Sequence, residues 1–167
     1  MNTETEEDNI KRCYIGIDPG SSSGCIAVIY TNEFKHIIII ETIEFAKHTT
    51  KEWFSKLRNI ARIDLPHCFC ILEKVHGMPG MGVQSVSVFM KNVGHIEMAL
   101  LALDIPFKEV TPQSWMKYYG LKKDKEESKN DWKRRLREHL QRIIPKLKIN
   151  NNTADAVLIA YYGLLNF

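Results

Sequence analysis

The sequence predicts an α/β fold in which a mixed five-stranded sheet is flanked by helices. Three observations carry this. Two β-rich runs, 13–18 and 24–30, stand on either side of the turn-forming segment DPGSSSG and read as a hairpin. Further short apolar runs at 36–45, 68–72 and 107–110 have strand length and strand composition. Between and after them the apolar spacing becomes helical. At 167 residues, 44% hydrophobic and 26% charged, the chain has the makeup of one well-cored domain, taken as 11–167 behind a frayed acidic tail at 1–10.

The elements follow in order. Residues 36–45 contain the four isoleucines Ile37 to Ile40, a pattern that predicts a strand covered on both faces. Residues 49–63 place Trp53, Phe54, Leu57, Ile60 and Ala61 on one helical side, with Thr49 or Thr50 as cap. The run 68–72 is apolar and closes on Glu73. The glycine- and proline-rich stretch 75–84 is a loop, and Ser85 or Ser87 opens a helix to about residue 103. Apolar residues cover more than one face of that helix, so one side is expected on the sheet and another against a second subunit. After the strand 107–110, Thr111-Pro112 fits the start of a helix over 112–119. A charged connection leads to a basic helix over 129–144, and residues 150–152 cap a last helix with Ala154, Val157, Leu158 and Tyr161 facing inward.

Composition narrows the class. No apolar run approaches the ~18 residues that span a bilayer, and the start MNTETEED lacks the features of a signal peptide, so a soluble intracellular protein is expected. Cys13, Cys25, Cys68 and Cys70 lie in apolar runs without CxxC spacing and read as buried thiols. The formal net charge is +3, but residues 117–148 hold twelve Lys and Arg against five Asp and Glu. A basic surface of that size favours a polyanionic partner.

Three carboxylates stand where apolar residues are expected: Asp18 in YIGIDPG, Glu73 in FCILEKV and Asp155 in NNNTADAVLIA. Buried carboxylates that converge repel one another unless cations lie between them. An oxygen-only ligand set suits Mg²⁺ or Mn²⁺, and two such ions ~4 Å apart are suited to phosphodiester hydrolysis. Taken singly, each residue also reads as a turn former, a solvated strand end or a helix-start acid.

The order IDPG, LEKVHGMPGMGVQSV, VTPQSWMKYYG and TADAVLIAYYG resembles the RuvC-type Holliday junction resolvases of the RNase H-like superfamily, and within them the poxvirus branch. The resemblance covers nearly everything after residue 12. It implies an RNase H-like nuclease domain that resolves four-way DNA junctions by symmetric paired nicks leaving 5′-phosphate ends, in viral genome concatemer resolution in the host cytoplasm. It also implies that Asp18, Glu73 and Asp155 are metal-binding carboxylates, with another aspartate three or four residues before the last. Asn152 and Asn151 occupy those positions here. Asn152 is therefore taken as the expected site of an inactivating Asp→Asn change, which would leave junction binding with poor cleavage; the alternative is a natural variant using three carboxylates.

Cutting two opposed strands calls for a two-fold dimer, and helix 85–103 is the candidate interface. Phosphate contacts are expected from Lys74, Lys117, Lys122, Lys123, Lys129, Lys133 and Arg134 within or beside the basic segment. His76, in the loop after Glu73, is a candidate for proton transfer or a phosphate contact, and Met78, Pro79 and Met81 for wedges at the crossover. Competing readings are an actin-like nucleotide-binding domain, which would need a second such domain, a non-cleaving junction-binding protein, and an RNA-directed nuclease of the same fold.

Overall fold

The computed structural model describes residues 10–62, 68–76, 82–145 and 147–167. Strands β1 (Arg12–Asp18) and β2 (Cys25–Thr31) form the expected hairpin, with Asp18 opposite Cys25. Its turn is closed by the Gly24 amide donating to the Gly20 carbonyl at 2.8 Å, and a Cβ on Gly24 would overlap the backbone of Asp18 and Gly20. Strand β3 (Ile37–Glu44) pairs antiparallel with β2. Strands β4 (Cys68–Glu73) and β5 (Phe107–Val110) extend the other side in parallel, giving the order β3-β2-β1-β4-β5.

Helices cover both faces. On one, α1 (Thr50–Arg62) and α2 (Val83–Ala102) bury Trp53, Leu57, Ile60, Ile96 and Leu100 against Ile15, Ile17, Ile26, Val28 and Leu72. On the other, α3 (Pro112–Tyr118), α4 (Lys129–Ile143) and α5 (Ala154–Asn166) pack Trp115, Trp132, Leu136, Leu140 and Leu158 against Tyr14, Ala27, Ile29 and Ile71. This is the mixed five-stranded α/β sheet that the periodicity predicts.

Local chemistry sets most helix starts. Thr49 and Glu52 form a reciprocal capping box: the Glu52 carboxylate accepts from the Thr49 amide at 2.7 Å, and the Thr49 hydroxyl accepts from the Glu52 amide at 3.4 Å. Thr111 and Ser128 cap α3 and α4 through the amides of Ser114 and Asp131. Asn150 caps the approach to α5, its side-chain oxygen accepting from the amides of Asn152 and Thr153. Helix α2 begins at Val83, earlier than Ser85, with Gly82 as its cap and no side-chain hydrogen bond.

One expectation is qualified and another corrected. Strand β3 is an edge strand whose two faces are both partly covered: Ile39 and Ile43 pack on the α1 and α2 side, Ile37 and Ile40 pack on the α5 side, and Glu41 and Thr42 are exposed. Its β-branched run satisfies strand propensity on a half-covered surface. Ile10, assigned to the frayed tail, is half-buried and packs against the core beneath α1 and α2. The rest of the tail, and Met78, Pro79 and Met81, lie outside the described residues. Cys13, Cys25 and Cys70 are buried free thiols, and Cys68 is half-buried.

One contact fixes the depth of the second layer. Gly16 of β1 lies directly beneath α5, where a Cβ would fall on the Ala156 carbonyl and the Ala160 amide. Glycine here lets helix backbone touch strand backbone. Gly16→Ala is expected to cost about 3 kcal/mol or more, because neither backbone can yield without moving the whole helix; urea unfolding monitored by circular dichroism measures it.

Candidate active site

The parallel pairing of β1 and β4 runs up to Ile17 beside Leu72, so Asp18 and Glu73 end two neighbouring strands at the same level. Strand alternation puts both on the α5 face, since Asp18 is two residues from Gly16 and Glu73 two from Ile71. The Gly20 amide donates to Asp18 Oδ1 at 3.1 Å, an Asx turn that fixes the carboxylate at the strand exit. Trp115 Nε1 donates to Glu73 Oε1 at 2.9 Å. Trp115 is 1% exposed, so this bond orients Glu73 from within the core. The Pro19 carbonyl, next to Asp18, accepts from Asn92 Nδ2 of α2 at 2.9 Å, which anchors the turn from the opposite layer.

Helix α5 supplies the third carboxylate from its first turn. Asp155 Oδ1 is buried and has no hydrogen-bond partner. Thr153 is the N-cap residue, so Asn151 and Asn152 lie in the turn that precedes α5. The two asparagines differ in orientation. Asn152 is exposed, whereas Asn151 Oδ1 is buried and unpartnered. The turn is held by Asn150, whose Nδ2 donates to Glu44 Oε1 of β3 at 3.1 Å.

The three carboxylates share one electrostatic environment. Burial pushes Glu73 up to about 8, and the charges of Asp18 and Asp155 add to the rise. Burial followed by the Asp18 charge raises Asp155 to about 7, and burial also raises Asp18, against the Gly20 hydrogen bond. Lys133 and then Lys129 pull Asp18 and Asp155 back down. Among the described residues no three Asp, Glu, His or Cys side chains form a ready-made metal cage. The donor chemistry nonetheless suits a hard divalent cation: three carboxylates resist ionisation together, and two inward oxygens, on Asp155 and Asn151, lack donors.

The predicted basic contacts divide into three groups. Lys117, Lys122, Lys123 and Lys129 are exposed, as is His76. Lys74 pairs with Glu109 at 3.2 Å and Arg134 with Asp131 at 2.7 Å; such surface pairs contribute about 0–1 kcal/mol and are readily exchanged for phosphate. Lys133, expected to meet phosphate, is instead 8% exposed, with a buried Nζ that has no partner. Arg135, counted with the basic run, is committed internally. It forks onto both Glu127 oxygens, donates to the Lys122 carbonyl at 2.6 Å and stacks on Trp132, fixing the loop that carries Lys122 and Lys123.

Sequence reasoning missed Trp115 and Gly16 as residues that shape the site. Trp115 sits in the motif VTPQSWMKYYG and carried a signal, a large aromatic in a short polar helix, but its partner Glu73 is 42 residues away.

No family model matches the sequence, and no curated protein matches it. Solved structures do. The chain is similar to RuvC of Thermus thermophilus in complex with Holliday junction substrate, with a TM-score of 0.58 and 13% identity over 90% of this chain and 91% of that one. Thermus thermophilus RuvC in a second structure gives 0.53 and 14% over 90% and 92%. The fowlpox virus resolvase in complex with substrate Holliday junction DNA gives 0.48 and 16% over 93% and 98%. The chain has the RNase H-like fold of the RuvC-type Holliday junction resolvases.

The raised carboxyls have a consequence for stability. Unfolded Glu73 and Asp155 titrate near their ordinary values of 4.5 and 3.8, below their folded values of about 8 and about 7. Over that interval the folded state holds more protons, so stability is greatest in acid and is lost as pH rises towards about 8. In chelator, the Tm is expected to fall between pH 4.5 and 8, less steeply in Glu73→Gln. Mg²⁺ or Mn²⁺ should raise it most at the alkaline end; differential scanning fluorimetry reads both effects.

Proposed function

We propose that the chain is a divalent-metal-dependent endonuclease that resolves four-way DNA junctions by paired nicks. The observation that carries this is that Asp18 and Glu73 end adjacent strands and Asp155 opens α5 near enough for their charges to act on one another and for Lys133 and Lys129 to act on Asp18 and Asp155. The likeness in fold to RuvC, solved with a Holliday junction substrate, supports junction DNA as the ligand.

Asp18, Glu73 and Asp155 would hold Mg²⁺ or Mn²⁺, with the Asn151 side-chain oxygen as a neutral further donor. Such ions supply Lewis-acid activation of the phosphodiester and of the attacking water. The chain's own residues do the rest. Trp115 and the Gly20 amide hold Glu73 and Asp18 in place, and α5 closes the site against the sheet. Lys117, Lys122, Lys123 and Lys129 present exposed cations to the phosphate backbone, and the exposed His76 follows Glu73 by three residues. A neutral amide at 151 lowers the negative charge of the site and cannot act as a base. Of the two asparagines, Asn151 is the position where an aspartate would face inward.

Paired nicks require two sites related by symmetry, and α2 offers the surface. Its inner side buries Val93, Ile96, Ala99 and Leu100, while Val83, Val88, Met90, Met98 and Leu101 are exposed. Several exposed apolar residues on one helix favour a protein interface, and Gly94 has open space above it for a second helix.

Cleavage of a mobile four-way junction in Mg²⁺ or Mn²⁺, with linear duplex as control, tests this reading. Asn151→Asp is expected to raise the cleavage rate by at least about tenfold, the scale of one added ligand charge, and Asn152→Asp to change it little. No junction preference in any of the three chains would overturn the proposal. Leu101→Glu should convert the dimer to monomer in analytical ultracentrifugation and replace paired nicks by single ones. Lys122→Ala with Lys123→Ala should weaken junction binding and flatten its salt dependence by about two charges.

A further inference from the structure

Among the described residues Lys133 is the least exposed of the lysines and arginines, at 8%, and its ammonium has no hydrogen-bond partner. An isolated buried ammonium is costly, so a compensating interaction must act on it. Its neighbours supply one. Lys133 lies on α4, which packs beside α5 in the same apolar cluster, and its charge acts on both Asp18 and Asp155. Lys129, one turn earlier, acts on the same pair but is exposed, so water screens it.

We propose that Lys133 is a fixed counter-charge built into the carboxylate site, occupying part of the negative potential that divalent cations would otherwise take up. This rests on the proposed metal site and adds to it a residue that sets the site's cation affinity. The geometry suits that role and not that of a surface phosphate contact. The ammonium is buried away from solvent, and no hydrogen bond turns it elsewhere. With asparagine at 151 and 152, the site carries three carboxylates and one ammonium. That net charge matches one divalent cation better than two, so Lys133 also bears on how many ions bind without DNA.

The test is Mn²⁺ binding to the DNA-free protein, by electron paramagnetic resonance titration at pH 8, in the unchanged chain, Lys133→Met, Lys133→Arg and Lys129→Met. Removing a like charge from an unscreened, low-dielectric site is expected to tighten Mn²⁺ binding about tenfold or more in Lys133→Met. Lys133→Arg should stay within about twofold of the unchanged chain, and Lys129→Met should shift far less than Lys133→Met because its charge is solvated. Tighter binding is not an outcome that loss of packing produces. If Lys133→Met melts below the assay temperature, Lys133→Gln provides the same uncharged comparison. Equal or weaker Mn²⁺ affinity in a folded, uncharged variant would overturn the counter-charge role while leaving the metal site standing. Absence of Mn²⁺ binding in every variant would overturn the metal site itself, and this role with it.

Discussion

Helix α5 lies on strand β1 with nothing between them but backbone, because Gly16 has no side chain and Ala156 and Ala160 have small ones. Every other feature of the carboxylate site depends on that approach. A helix held at ordinary distance by a larger residue would carry Asp155 away from the strand ends, and Asp18 and Glu73 would face solvent. The same contact buries α5 along most of its length, so the helix is apolar nearly all round and Asp155 is its lone acid.

A site built so deeply is electrostatically expensive. Burial raises all three carboxyls, and each charge makes the next harder to form. The surrounding structure holds the groups in place despite that cost: Trp115 on Glu73, the Gly20 amide on Asp18, and the Asn150 turn tied to Glu44 ahead of Asp155. These are local devices of turn and cap, recruited to aim functional groups. Stability is thereby exchanged for a concentrated negative potential, the usual arrangement at sites that bind cations.

Around this centre the basic residues are not equivalent. Some are solvated and free to meet phosphate, some are held in weak surface pairs, Arg135 is spent organising a loop, and Lys133 is buried among the carboxylates' neighbours. A charge count along the chain sees one basic run. Only the packing of α4, with Trp132, Leu136 and Leu140 facing α5, decides which cations turn outward. Helix α2 shows the same division in apolar form, half core and half exposed surface.

The sequence by itself determined the architecture and singled out three carboxylates set in apolar elements. Strand and helix periods, the DPG turn and the Thr and Ser caps are local, and local signals survive without knowledge of the partner element. Asp18, Glu73 and Asp155 were legible because each interrupts an apolar pattern. Tertiary structure decided the rest: that β3 is an edge strand, that Trp115 reaches Glu73 across 42 residues, that Asn151 and not Asn152 turns inward, and that Lys133 is buried. Each depends on which surfaces meet and how closely, and contact between distant segments leaves no period in the sequence that encodes it.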